Sequence, residues 1–197
     1  EDVEQALDAV EFRQKVILQL AIFAGARPGE VLAVQRKHVV HDATVIEIHR
    51  RVYRGKFAEP KNGLVRKIAV PPRSAALLRD WMEKAVEPDP EAFVFAGETG
   101  QPLWRSSLLD DHVKAKLKPI GLGWVNFQVM RRTHASLGHE AKVDPKVAAD
   151  QRGHGIGVAL DVYTQSTIKE RAAAAKRLEK SVLKDKRKVV PIRKKSA

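Results

Sequence analysis

Residues 151–165, QRGHGIGVALDVYTQ, place a histidine and a tyrosine nine positions apart, with Gly153, Gly155 and Gly157 set around the histidine. Glycines accept positive φ, so the chain is expected to leave one helix and enter another around His154, with Tyr163 on the second. A tyrosine of ordinary pKa is only about 0.1% ionised at neutral pH. It becomes a nucleophile only beside cationic groups and a route for its proton. On this stretch alone, a histidine at a helix end and a half-buried tyrosine serve as well as a reactive pair.

Cationic candidates lie upstream. Arg27 falls between Gly25, a natural helix stop, and Pro28, a natural first residue of a helix reading PGEVLAVQ. That junction sets Arg27 beside free N–H groups and a dipole that favour an anion, though a turn-capping surface arginine fits equally. Lys61, in EPKNG, stands at an expected hairpin tip, where lysines are most often simply solvated. Gln128 and Arg131 are three apart in NFQVMRRTHASL and so share a helix face.

The elements that must hold these residues can be read from periodicity. Residues 1–24 read as helical, with Val16, Leu18, Leu20, Ile22 and Phe23 expected in the core. Residues 44–53 and 64–71 read as strands of an antiparallel hairpin, and FVFA at 93–96 is expected to add a third strand. Helices are expected at 72–86, with Leu77, Leu78, Trp81 and Met82 on one side, at 107–118, and at 126–137, with Phe127, Met130 and Leu137 inward. Asp144-Pro145 is a good cap and first residue for the helix that delivers the chain to His154. After Tyr163, Ile168, Ala172, Ala175, Leu178 and Val182 form a stripe at helical spacing, and residues 187–197 have the composition of a disordered basic tail.

The 197 residues, 44% hydrophobic, suffice for one sizeable core. The absence of cysteine removes disulfides and thiol chemistry. No apolar run approaches the roughly 20 residues of a membrane span, so a soluble protein is expected. The net charge of +12 is uneven, because residues 166–197 carry 12 Lys/Arg against 3 Asp/Glu. A basic tail alone is a weak pointer to any one partner. The chain opens on Glu1 rather than Met, as a piece of a longer protein would.

Each candidate taken singly has a bland explanation, but the ordered set Arg27, Lys61, Arg131, His154, Tyr163 is much harder to obtain by chance. GARPGE (25–30), the lysine of PKNG ahead of a strand, QVMRRTHAS (128–136), RGH (152–154) and VYTQ (162–165) together resemble the catalytic domain of the tyrosine recombinases, the phage integrase family. The resemblance covers essentially the whole chain. It implies a mainly helical α+β domain over 1–186 with a small antiparallel sheet of about three strands, and a separate DNA-clamping domain that is expected to be missing here. The activity it implies is strand transfer in DNA without metal or cofactor. Tyr163 would attack a phosphodiester to give a 3′-phosphotyrosyl bond, Arg27 and Arg131 would hold the non-bridging oxygens, Lys61 would protonate the leaving 5′-oxygen, and His154 would hydrogen-bond the phosphate. Glu30 matches the acidic position that orients the first arginine.

One position departs from the family pattern. Gln128 stands where most members have histidine, and glutamine can donate a hydrogen bond to phosphate but cannot usefully accept the tyrosine's proton. Arg54, Lys56 and Arg132 are further candidates for touching DNA, from charge and proximity. The implied partners are double-stranded DNA and other copies of the chain, in a homotetramer that exchanges C-terminal segments, at a cytoplasmic, DNA-associated location. The rival readings are a type IB topoisomerase-like religation, a catalytically weak relative that regulates by binding DNA, and, more distantly, an RNA-binding module.

Overall fold

The computed structural model describes residues 2–60 and 65–153, together with Ile168, Ala172, Ala175 and Lys176. The chain divides into two units, Glu1–Tyr163 and Thr164–Ala197. In the second, the four described residues are helical.

The first unit is built around one helix. Helix α1 (Asp2–Asp8) leads into α2 (Phe12–Phe23), in which Val16, Ile17, Leu18, Leu20, Ala21 and Ile22 are buried. A helix apolar on nearly every side must be covered on nearly every side. The covering elements are α1, a short α3 (Pro28–Val31), α4 (Pro72–Ala85), α7 (Phe127–Glu140) and a π-helical segment, Leu108–Lys114. Phe23, expected inside, is 38% exposed, although its neighbours Leu20, Ala21, Ile22 and Ala24 are buried. The helix expected over 28–35 stops after one turn, and the chain then passes through a 3-10 turn at Arg36–His38.

The sheet has three antiparallel strands in the order β1 (Val39–Val40), β2 (Val45–Ile48), β5 (Arg66–Ala69), with Ile46 opposite Ile68 and Ile48 opposite Arg66. Ile46, Ile48 and Ile68 are its buried face, as alternation requires. The third strand is therefore 39–40, not the expected 93–96. Instead 92–96 bonds to 34–36 on one side and 101–103 on the other, with isolated bridges only.

The strand expected over 44–53 is also broken. After His49-Arg50 it resumes as β3 (Arg51–Tyr53), which pairs with β4 (Lys56–Ala58) in a separate two-stranded hairpin. Arg54 and Gly55, both at positive φ, form its two-residue turn, the geometry that suits the twist of a tight hairpin.

The helical stretch expected over 107–118 runs as α5 (Arg105–Ser107), the π segment and α6 (Ala115–Leu117). Leu108 and Val113, five residues apart, are both buried, a spacing that i→i+5 winding brings to one face.

Two caps set the register of the last helices. Asn126 Oδ1 accepts from the N–H groups of Gln128 and Val129 at 2.9 and 3.0 Å, starting α7. Asp144 does the same for Lys146 and Val147, starting α8 (Pro145–Arg152). Phe127 and Met130 are buried, whereas Leu137, expected with them, is 38% exposed near the end of α7.

Candidate active site

The C-terminal end of α8 is the point on which the site converges. A helix end leaves carbonyls without intrahelical partners and a partial negative charge. Here three of those carbonyls are taken by three arginines from three other elements. Arg66 of β5 donates to the Gln151 carbonyl at 2.9 Å, Arg131 of α7 to that of Arg152 at 3.1 Å, and Arg27, ahead of α3, to that of Gly153 at 2.5 Å. Arg131 also donates to the carbonyl of Gly25 at 2.5 Å. Residues distant in sequence are thus held in one cluster by one helix end.

Gly153 is required at that end. It sits at φ +64°, and a Cβ there would lie 2.7 Å from Arg66 Nε and 3.0 Å from an Arg27 guanidinium nitrogen. Gly29 serves a second close approach, since a Cβ on it would come within 2.6 Å of the Val52 carbonyl oxygen. The start of α3, which carries Arg27, is thereby seated directly on β3.

Glu30 provides the counter-charge. Its carboxylate accepts from the Arg27 guanidinium at 2.8 Å, the Arg27 backbone N–H at 3.1 Å and Arg66 at 2.5 Å. The side chain is 4% exposed. Burial opposes its charge, but the guanidiniums of Arg66 and Arg27 hold the carboxyl below its ordinary pKa. The orienting role expected of Glu30 thus has its geometry, and it clamps two arginines rather than one. Arg131 is affected in the opposite sense. Burial, with the charges of Arg27, Arg66 and Arg152 nearby, lowers its pKa to about 10, still cationic at neutral pH. Among the described residues these guanidiniums surround a single carboxylate, so the cluster favours an incoming anion.

Arg27, Glu30, Gln128 and Arg131 line one open cleft of about 310 Å³, together with Arg51, Tyr53, Arg105 and Phe127. Gln128 is exposed on the first turn of α7, and its side-chain amide makes no hydrogen bond among the described residues. Arg54 lines an adjoining cleft with Phe57 and Trp104, Lys56 is exposed on β4, and Arg132 is exposed on α7 outside the cleft. Lys61, His154 and Tyr163 lie outside the described residues. Among the described residues no group of three or more His, Cys, Asp or Glu side chains could hold a metal ion. No described helix is long and apolar enough to cross a membrane.

Sequence reasoning missed Arg66 and Gln151. Arg66 shares the inward face of β5 with Ile68, and a charge on the buried face of a strand was the available signal. Gln151 carried no signal at all. Its side-chain amide donates to the carbonyls of Ala24 and Ala69 at 2.9 and 2.7 Å and accepts from the Ala69 N–H at 3.1 Å. One side chain therefore ties α8 to the end of β5 and to the loop after α2.

A family model described as the phage integrase family matches residues 1–170. No curated protein sequence matches the chain. Among solved structures, the Tn1549 transposon integrase in complex with a circular intermediate DNA superposes with a TM-score of 0.75 at 19% identity, covering 88% of this chain and 63% of that one. The XerH site-specific recombinase bound to difH substrate gives a TM-score of 0.70 at 19% identity, over 90% and 52% of the two chains. The lambda integrase catalytic core gives 0.53 at 15% identity, over 78% and 88%. This chain spans less than two thirds of the Tn1549 integrase and XerH chains it matches, and the likeness establishes the mainly helical α+β fold with its small antiparallel sheet.

Proposed function

The chain belongs to the phage integrase family, and we propose that it is the strand-cleaving half of a site-specific DNA recombinase. One observation carries the reading: Arg27 and Arg131 are brought to one cleft, fixed by α8 carbonyls and by Glu30, and surrounded by more cationic than anionic charge. A phosphodiester under attack gathers negative charge on its non-bridging oxygens as it becomes pentavalent. Forked guanidinium donors already held in place stabilise that charge without reorganising.

In this mechanism Tyr163 Oη attacks the phosphorus, the bond to the 5′-oxygen breaks, and the strand remains attached as a 3′-phosphotyrosyl ester. Lys61 gives a proton to the departing 5′-oxygen, and His154 donates a hydrogen bond to the phosphate. Gln128 lines the cleft as a hydrogen-bond donor rather than a base, so the tyrosine's proton leaves through water. Attack by a 5′-hydroxyl on the ester reverses the reaction, on another strand when two duplexes are paired. The working assembly is a homotetramer on duplex DNA with exchange of the segment after Tyr163, with no cofactor. The DNA-bound state of the Tn1549 integrase and XerH structures supports the choice of duplex DNA as partner.

A covalent-trap experiment tests it. Nicked duplexes from the ends of the element that encodes the chain are incubated with wild type and Tyr163→Phe, then run under denaturing conditions. A protein–DNA band from wild type and none from the variant is the expected result. A wild type that binds the duplex yet forms no band would favour a DNA-binding regulator, the alternative that Gln128 raises.

A further inference from the structure

The cleft holds more guanidinium groups than one phosphate can use. Arg27 and Arg131 suffice for two non-bridging oxygens, yet Arg51 and Arg105 line the same walls. Their surroundings differ from those of the inner pair. Among the described residues neither Arg51 nor Arg105 forms an ion pair or a hydrogen bond from its side chain, and both are exposed. Tyr53 is on the same strand face as Arg51, 55% exposed, with the guanidinium carbons of Arg105 and Arg54 at 5.6 and 5.5 Å from its ring centroid. A guanidinium stacked on an aromatic ring is held in direction while its N–H edges stay open to an acceptor. The seating of Gly29 against Val52 fixes this strand to the start of α3, so the backbone that carries Arg51 is held beside Arg27.

Resting on the recombinase reading, we propose that Arg51 and Arg105, the latter stacked on Tyr53, form a second phosphate subsite that grips the DNA backbone next to the scissile phosphate. Its ligand is an unreacting phosphodiester of the same duplex. Arg105 holds that phosphate by charge and hydrogen bonding, and Tyr53 is a positioning residue for Arg105. The subsite contributes to ground-state binding, so it sets affinity and register on the backbone rather than the rate of the chemical step.

The test measures duplex binding as a function of salt for this chain as wild type, Arg105→Ala and Arg105→Lys, with single-turnover cleavage at saturating DNA alongside. Arg105→Ala should weaken binding about tenfold. It should also lower the salt slope by about 0.9, with the saturated cleavage rate unchanged. Arg105→Lys should keep the slope. Duplexes carrying one neutral methylphosphonate at each position flanking the cleavage site should show a position that weakens wild type but not Arg105→Ala. An unchanged slope in Arg105→Ala, or a lost cleavage rate at saturation, would overturn the subsite while leaving the recombinase reading in place. Failure of the wild type to bind duplex DNA at low salt would remove both.

Discussion

The arginines tied to the end of α8, an inner set, and the exposed arginines near them, an outer set, are the same residue type in contrasting physical situations. Arg27, Arg66 and Arg131 are held by helix-end carbonyls, and the first two also by a buried carboxylate. Arg51, Arg54 and Arg105 are exposed, and Arg54 and Arg105 lean on an aromatic ring. The inner set is preorganised and little screened by salt, as stabilising a transition state demands. The outer set can adapt and is screened within about 10 Å at 0.1 M salt, as reading a long backbone demands.

Disturbing the inner set should cost most. Glu30→Ala leaves two partly buried guanidiniums without their shared carboxylate, and the expected loss is about 3–5 kcal/mol of stability. Urea denaturation measures it, and a loss below 1 kcal/mol would mean that the α8 carbonyls alone hold the arginines.

Acid should come next. Burial, and the charges of His49, Lys37 and Arg50, lower the pKa of His38 to about 4, and burial lowers that of His134, which donates Nδ1–H to the Ile22 carbonyl beside the inner arginines. Both histidines fold in the neutral form, so the unfolded chain takes up more protons below its ordinary pKa of 6.5. Their contribution is complete above pH 6.5 and is lost as the pH falls towards 4, by at most about 3 kcal/mol for His38. His38→Asn should flatten most of that decline in melts taken between pH 7 and 4. A variant with the wild-type profile would assign the decline elsewhere.

Gly153→Ala should follow, at about 1–2 kcal/mol from its positive φ, with more from the approach to Arg66. Because the change strikes the guanidinium cluster directly, the cleavage rate should drop together with the melting temperature. Gln151→Leu should lose at least about 1 kcal/mol, since water can replace its bonds to exposed Ala69 but not the one to the carbonyl of buried Ala24. In the exposed set, Arg51→Ala and Arg54→Ala should stay within about 0.5 kcal/mol of wild type. A large loss there would erase the distinction between the two sets.

The legible parts of the molecule were those written in local chemistry. Pro28 after Gly25, Asp144 as a cap, the strand composition around Ile46 and the alternation around Ile68 announce their elements directly. Arg27, Glu30, Gln128 and Arg131 could be proposed from the family resemblance, and the fold sets them around one cleft. What stayed hidden depended on long-range placement. The 93–96 segment has strand composition, but it lies between 34–36 and 101–103 and joins no ladder. The break between β2 and β3 follows Arg50, whose guanidinium carbon lies 4.8 Å from the Phe57 ring centroid and 5.2 Å from that of Phe93, partners no local window contains. Gln151 acts only through backbone atoms of Ala24 and Ala69, which leave no trace in side-chain pattern.

On the recombinase reading, Arg27 and Arg131 act on the reacting phosphate and Arg51 and Arg105 on its neighbour. The most direct measurement is the single-turnover rate of covalent complex formation on a nicked duplex, at saturating DNA, for wild type, Arg131→Ala and Arg105→Ala. Removing a preorganised donor to the transition state should slow Arg131→Ala by about 10²–10³. Arg105→Ala should react at the wild-type rate once saturated. Equal slowing of the two variants, or a wild-type rate in Arg131→Ala, would contradict the account.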